Sequence, residues 1–158
     1  MNKKREYNGA GIYGLYNVVE NKIYIGSSKH IHNRFMQHRH NFRNPDAKLL
    51  MYKEPINHFT FMVLHKLPDD EFEKYGNIYE MLYIYSAREQ NISVYNKVDV
   101  HDDLSRLFCY LLDVRDNLYN TIRSTTGYKL NWITCMKPDT RLRYWHHMRK
   151  HLDCLEKG

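Results

Sequence analysis

The stretch GIYGLYNVVENKIYIGSSKHIHNRFMQH, running from Gly11 to His38, decides the fold. It opens with Gly11-Ile12-Tyr13 in one run rich in β-branched and aromatic residues, and Tyr24-Ile25-Gly26 lies in a second. Polar Glu20-Asn21-Lys22 separates the two runs, so the pair predicts a β-hairpin over about residues 10–28. The strand alternation then stops and a helical pattern begins, over about residues 30–43. Ser28 stands where an N-cap would be, and Pro45 lies beyond the end. Arg34 and His38 are four apart and share one face of that helix. Two phenols, a guanidinium and an imidazole therefore converge from three consecutive elements, a set suited to a phosphodiester.

Working outward, residues 46–54 read as a short second helix closed by Pro55, and Phe59 to Leu64 as a third strand. Pro68-Asp69-Asp70 opens an acidic, helix-favourable segment reaching about Gln90, with Gly76 as a candidate break. Residues 92–98 return to extended character. The order strand-strand-helix-helix-strand-helix predicts an α+β fold, a small antiparallel three-stranded sheet flanked by helices. The character changes near Val98–Asp103. Leu104, Leu107, Phe108, Leu111, Leu112, Leu118 and Ile122 lie largely at helical spacing, which predicts an amphipathic helix over about 102–124, and a last basic helix is expected over about 139–156. The chain thus divides into a basic lead (1–8), a module (9–98) and a helical C-terminal extension (99–158). The extension would complete the core, form a homodimer or contact DNA.

The two tripeptides and the residues after them resemble the catalytic module of the GIY-YIG endonuclease superfamily. Arg34 and His38 fall where that family places its helix arginine and, in many members, a histidine one turn on. Glu80 opens Glu80-Met81-Leu82-Tyr83-Ile84, similar to the family's metal-carboxylate helix, and Tyr95-Asn96 matches the asparagine after it. The Ser27-Ser28 step makes the likeness closest to the homing-endonuclease branch. The resemblance implies a metal-dependent endonuclease acting on DNA, with Tyr13, Tyr24, Arg34, His38 and Glu80 catalytic. Glu80 would hold Mg²⁺, with Mn²⁺ able to substitute. Asn96, Arg34, Lys29 and Arg39 would contact the substrate.

The chemistry of these groups fits that expectation. Arg34 offers a permanently charged fork to non-bridging phosphate oxygens. A single carboxylate such as Glu80 suffices for Mg²⁺, which keeps most of its waters. Tyr13 is the expected proton acceptor, provided cationic surroundings favour its phenolate; His38 would share or relay that proton, and Tyr24 would position phosphate or water. Each residue alone has a plainer reading: a packed tyrosine, a surface cation, a solvated helix carboxylate, a turn asparagine. Their joint order and spacing favours the nuclease. The histidines at 30, 32, 38 and 40 and the pair His147 and His151 have no cysteine or carboxylate completing a zinc pattern. Two other classes stay open, a compact restriction-type endonuclease and a catalytically inactive nucleic-acid-binding module.

Charge supports a polyanionic partner. The net charge is +6, and residues 1–50 carry nine Lys and Arg against three Asp and Glu. Positive charge thus gathers on the hairpin and first helix, where counterion release would favour a polyanion. In the last segment Arg141, Arg143, Arg149 and Lys150 interleave with aromatics, as a DNA contact would; the plainer alternative is a basic surface helix. No apolar run reaches the roughly 18 residues of a membrane span, and no apolar signal core follows Met1 to Arg5. A cytoplasmic or nucleoid-associated location is expected, not secretion. Three widely spaced cysteines suggest neither a disulfide framework nor a zinc finger.

Overall fold

The computed structural model describes residues 6–97 and 114–127. In chain order the elements are β1 (Gly11–Asn17), β2 (Lys22–Ser28), α1 (Ile31–Arg43), two 3₁₀ turns (Leu50–Lys53 and Ile56–His58), β3 (Phe59–Lys66), α2 (Asp69–Glu89), β4 (Ser93–Val94) and α3 (Val114–Thr126). Among the described residues, no helix is long and apolar enough to cross a membrane.

The sheet has four strands in the order β3-β1-β2-β4, not three. β1 pairs antiparallel with both β2 and β3, while β4 pairs parallel with β2, so the sheet is mixed. The fourth strand is short, and two residues carry no readable alternation. It is held by backbone bonds from Ser93 N–H to Asn21 O and from Tyr95 N–H to Ile23 O. All seven residues of β1 are buried, as befits a central strand covered on both faces.

The hairpin turn spans residues 18–21, and Lys22 already belongs to β2. Asn17 builds it by accepting hydrogen bonds at Oδ1 from the amides of Val19 and Glu20, each at 3.0 Å. Asn21 takes a left-handed conformation (φ 50°), and its Oδ1 accepts from the Tyr16 hydroxyl at 2.6 Å.

Strand alternation sorts the core into two layers. Ile12, Tyr16, Ile23 and Ile25 face α2 and α3, packing on Leu82–Ala87, Val114, Leu118 and Ile122. Six consecutive residues of α2 are buried because this helix packs against both the sheet and α3. Gly76 does not break α2. The roughly 1 kcal/mol cost of one helical glycine is small beside that burial. Tyr13 and Leu15 face the other way, onto Ile31 and Phe35 of α1 and onto Met51, Tyr52 and Phe59.

Ser28 is not the N-cap of α1. Its hydroxyl accepts from the His30 amide, a turn before the helix, and His30 occupies the cap position without a side-chain cap. The first-turn amides are satisfied from the lead segment instead: Asn8 Oδ1 accepts from Asn33 N–H, and Gly9 O accepts from Ile31 N–H. Residues 6–8 are thereby tied to the module. The segment expected as a second helix is one 3₁₀ turn, Leu50–Lys53. Of the helix expected over about 102–124, the described part is α3; the rest, and the basic helix over 139–156, lie outside the described residues.

Candidate active site

β1 and β2 bring Tyr13 opposite Gly26 and Leu15 opposite Tyr24. Paired residues share a face, so the two tyrosines are diagonal neighbours on the α1 side, with ring centroids 6.4 Å apart. Gly26 makes this possible, because a Cβ there would collide with the ring and hydroxyl of Tyr13. Gly11, at φ +155°, lies against the His65 carbonyl, where a side chain would also collide.

Helix α1 supplies the next groups. His38 is buried, and its Nε2 lies 2.8 Å from the Tyr13 hydroxyl. Its Nδ1 lies 2.7 Å from the hydroxyl of Tyr52, which also accepts from Asn41 Nδ2 at 3.2 Å. Arg34, one turn before His38, donates from Nε to the Tyr13 hydroxyl at 3.4 Å and from Nη1 to Gln37 Oε1 at 2.7 Å. Tyr13 oxygen thus sits between a guanidinium and an imidazole. Arg34 opens onto a hollow of about 350 Å³ that it shares with Ser27, Ser28, His30, Asn33 and Gln37.

Glu80 comes from α2, on the opposite face of the sheet. Ser27 points to that face, being one residue out of phase with Gly26 and Ser28, and its hydroxyl donates a hydrogen bond to Glu80. The carboxylate's field also reaches Tyr24. β2 therefore carries Tyr24 on one face, and near its end Ser27 meets Glu80 from the other.

Electrostatics separate these groups. Burial pushes the Tyr13 phenol well above its ordinary range, and the Arg34 hydrogen bond only partly opposes this. Tyr24 is raised for the same first reason, with Arg34 again opposing. Burial, aided by the Arg34 charge, lowers His38 to about 4, so at neutral pH it is an uncharged imidazole with one free lone pair. The expectation that cationic surroundings would favour a resting Tyr13 phenolate is thus opposed by the burial of that phenol. Glu80 is half-buried and raised by desolvation, with Ser27 opposing. Among the described residues no Lys or Arg forms an ion pair with it.

A half-buried carboxylate with no cationic partner is a fitting ligand for a hard cation that brings its own water. Among the described residues no group of three or more His, Cys, Asp or Glu is placed to enclose a metal.

The other expected contact residues have the following partners. Lys29 pairs with Glu73 at 2.8 Å on the surface. Arg39 rests over the Phe61 ring, 5.2 Å from its centroid. Asn96 has its amide bonded on both sides to Ile25, accepting from its N–H at 3.0 Å and donating to its carbonyl at 2.7 Å. Arg141, Arg143, Arg149 and Lys150 lie outside the described residues. Tyr52 escaped sequence reasoning, since it sits in a 3₁₀ turn with no periodic relation to Arg34 or His38. Gln37 and Asn41 carry no chemical signal either, and the Ser27-Ser28 step gives no hint of a bond to Glu80.

With this geometry in hand, comparison with known proteins gives one match. A family model described as the GIY-YIG catalytic domain covers residues 9–92. No curated protein and no solved structure matches.

Proposed function

The chain belongs to the GIY-YIG family and so carries a nuclease domain, and on that premise we propose that it is a metal-dependent DNA endonuclease of the homing or mobile-element type. The observation that supports the proposal most is the hydrogen-bonded set Arg34–Tyr13–His38, together with a Glu80 carboxylate that has no Lys or Arg ion-pair partner among the described residues and whose field reaches Tyr24.

Arg34 binds the scissile phosphate through its free guanidinium edge and stabilises the charge that builds on the pentavalent phosphorus oxygens. Water must lose a proton as it attacks. A resting phenolate is disfavoured at Tyr13, so the Tyr13 oxygen takes the water proton while passing its own to His38 Nε2. The relay needs the His38 tautomer with its proton on Nδ1, donated to Tyr52. The phenol stays neutral throughout, and the imidazole ends as the cation, stabilised by the negative charge arriving on the phosphate. Tyr24, half-buried beside His38, orients the water or a phosphate oxygen. Glu80 would hold Mg²⁺ or Mn²⁺, which would supply a Lewis acid for the phosphate and neutralise the leaving oxygen.

The test is cleavage of supercoiled plasmid with Mg²⁺ or Mn²⁺, followed by sequencing of the ends. Nicked or linear product that depends on the added cation and is lost in Glu80→Gln supports the reading. Full activity in chelator overturns the metal role. Ends clustered at a long site fit the homing type, and ends at a short repeated sequence fit a compact restriction-type enzyme. Binding without any cutting would leave a nucleic-acid-binding module.

A further inference from the structure

A second hollow, of about 440 Å³, is lined by Tyr24. Its walls include Lys22, Lys48 and Lys97, together with Leu50 and Tyr95. Among the described residues none of the three lysines forms an ion pair. The one carboxylate in the lining, Glu54, is engaged by the Tyr95 hydroxyl, which also accepts from Asn17 Nδ2 at 3.2 Å. Tyr95 is therefore a fixed wall. One face of its ring carries the Lys22 ammonium, 4.5 Å from the centroid, and Phe59 packs beside it. Among the described residues the lining therefore sets three ammonium groups against one carboxylate.

The hollow also exposes apolar surface where a folded chain seldom leaves it. Leu50 is 77% exposed, the highest value among the large hydrophobic residues described, and neighbouring Leu49 is 49% exposed. Three lysines against one carboxylate among the described residues, beside exposed leucine, fit a ligand that is anionic along one edge and apolar along the other. A nucleic-acid strand has that character, with phosphates outside and sugar and base edges within.

The position is set by strand geometry. Lys22, Tyr24, Gly26 and Ser28 share one face of β2, the face that carries Tyr13 across the register. Two strand residues span roughly 7 Å. A DNA strand crossing the Arg34 hollow and continuing past Tyr24 would enter the second hollow on the order of one to three nucleotides from the scissile phosphate. We propose that the groove formed by Lys22, Lys48, Lys97 and Leu50 is a binding subsite for the DNA nucleotides flanking the cut, with the lysines on phosphates and Leu50 on a sugar or base edge. This proposal rests on the endonuclease reading given above.

The experiment compares the wild type with a Lys48→Gln/Lys97→Gln double variant and with Leu50→Ser. All three substituted side chains are exposed, and none belongs to the Arg34–Tyr13–His38 cluster. Binding of a short fluorescein-labelled duplex is followed by anisotropy between about 50 and 200 mM salt, and single-turnover cleavage is measured at saturating protein. The double variant should lower the slope of log K against log salt by about 1.8, which is about 0.9 for each lost phosphate contact. Leu50→Ser should leave the slope unchanged and weaken binding by about ten-fold, the loss of one buried aliphatic side chain. Saturated cleavage rates should match the wild type in both. If the wild type binds and cuts but both variants keep its affinity and slope, the groove is not on the DNA path and the endonuclease reading survives. A loss in Leu50→Ser alone, with the lysine slope unaltered, also overturns the subsite. A wild type that neither binds nor cuts DNA overturns the endonuclease reading itself.

Discussion

The hydroxyl of Tyr13 lies 2.8 Å from Nε2 of His38, a contact between a central strand and a helix 25 residues further along the chain. It makes the strand tyrosine and the helix histidine one acid–base unit. Neither group is tuned to act alone: the phenol is pushed up by burial, and the imidazole is pulled down to about 4. In the proposed relay, their juxtaposition lets a proton move through both without either holding an unfavourable charge at rest.

Folding stability should record the buried imidazole. In the unfolded chain His38 titrates near 6.5, and in the fold near 4, so between these values the unfolded state binds more protons. The contribution is fully present above about pH 6.5 and is lost as pH falls toward 4, by at most about 3 kcal/mol. Urea unfolding at pH 7, 5.5 and 4.5 should show this slope in the wild type. His38→Gln should reduce it, and an identical pH dependence in the two proteins would refute the buried neutral state.

Tyr13→Phe keeps the ring packed against Phe35 and removes only the oxygen. Cleavage should fall by about 10² or more, the usual worth of a positioned proton-transfer group. Stability should drop by about 1–3 kcal/mol, because His38 Nε2 loses its buried partner. A folded Tyr13→Phe protein cutting at the wild-type rate would remove Tyr13 from the chemistry.

Arg34→Ala should lower the cleavage rate by about 10², as does loss of a single preorganised oxyanion donor. Arg34→Lys should recover little of it, since an ammonium cannot reproduce the Nε contact to Tyr13 while reaching a phosphate. Rates are to be read beside circular dichroism. Wild-type turnover in the lysine variant would show that charge alone suffices.

Glu80→Gln removes a desolvated charge that has no Lys or Arg ion-pair partner among the described residues, so the variant should melt at or above the wild-type temperature while losing Mg²⁺-dependent cleavage. Added Mg²⁺ should raise the melting temperature of the wild type and not that of the variant, because only the first gains a ligand specific to the folded state. Equal shifts in both proteins would place the metal elsewhere.

Gly26→Ala should cost about 1–3 kcal/mol and reduce activity together, since the new methyl meets Tyr13 directly across the register. Thermal melting and cleavage of the same preparation provide the check. A variant with wild-type values for both would mean that Tyr13 can shift without consequence.

The hairpin, α1, β3 and α2 were legible because each carries a long periodic signal, and Tyr13, Tyr24, Arg34 and His38 follow from their place in that pattern. β4 was not, since two residues have no period and its pairing depends on where α2 returns the chain. Tyr52 and Ser27 were not legible either. One meets His38 through a 3₁₀ turn, and the other meets Glu80 across the sheet, so both contacts exist only once the layers are stacked. Asn96 carries the opposite lesson. Its place was legible, but its amide is bonded to the backbone of Ile25.

That bond has a bearing on solubility. β4 covers the outer edge of β2 for only two residues, and past it the strand would offer bare amides and carbonyls to any extended peptide. An exposed edge rich in isoleucine and tyrosine is a template for self-association into cross-β assemblies. By filling the donor and acceptor of Ile25, Asn96 closes that template with an amide side chain in place of a fifth strand. The open stretch of β2 is thereby kept from recruiting a second polypeptide.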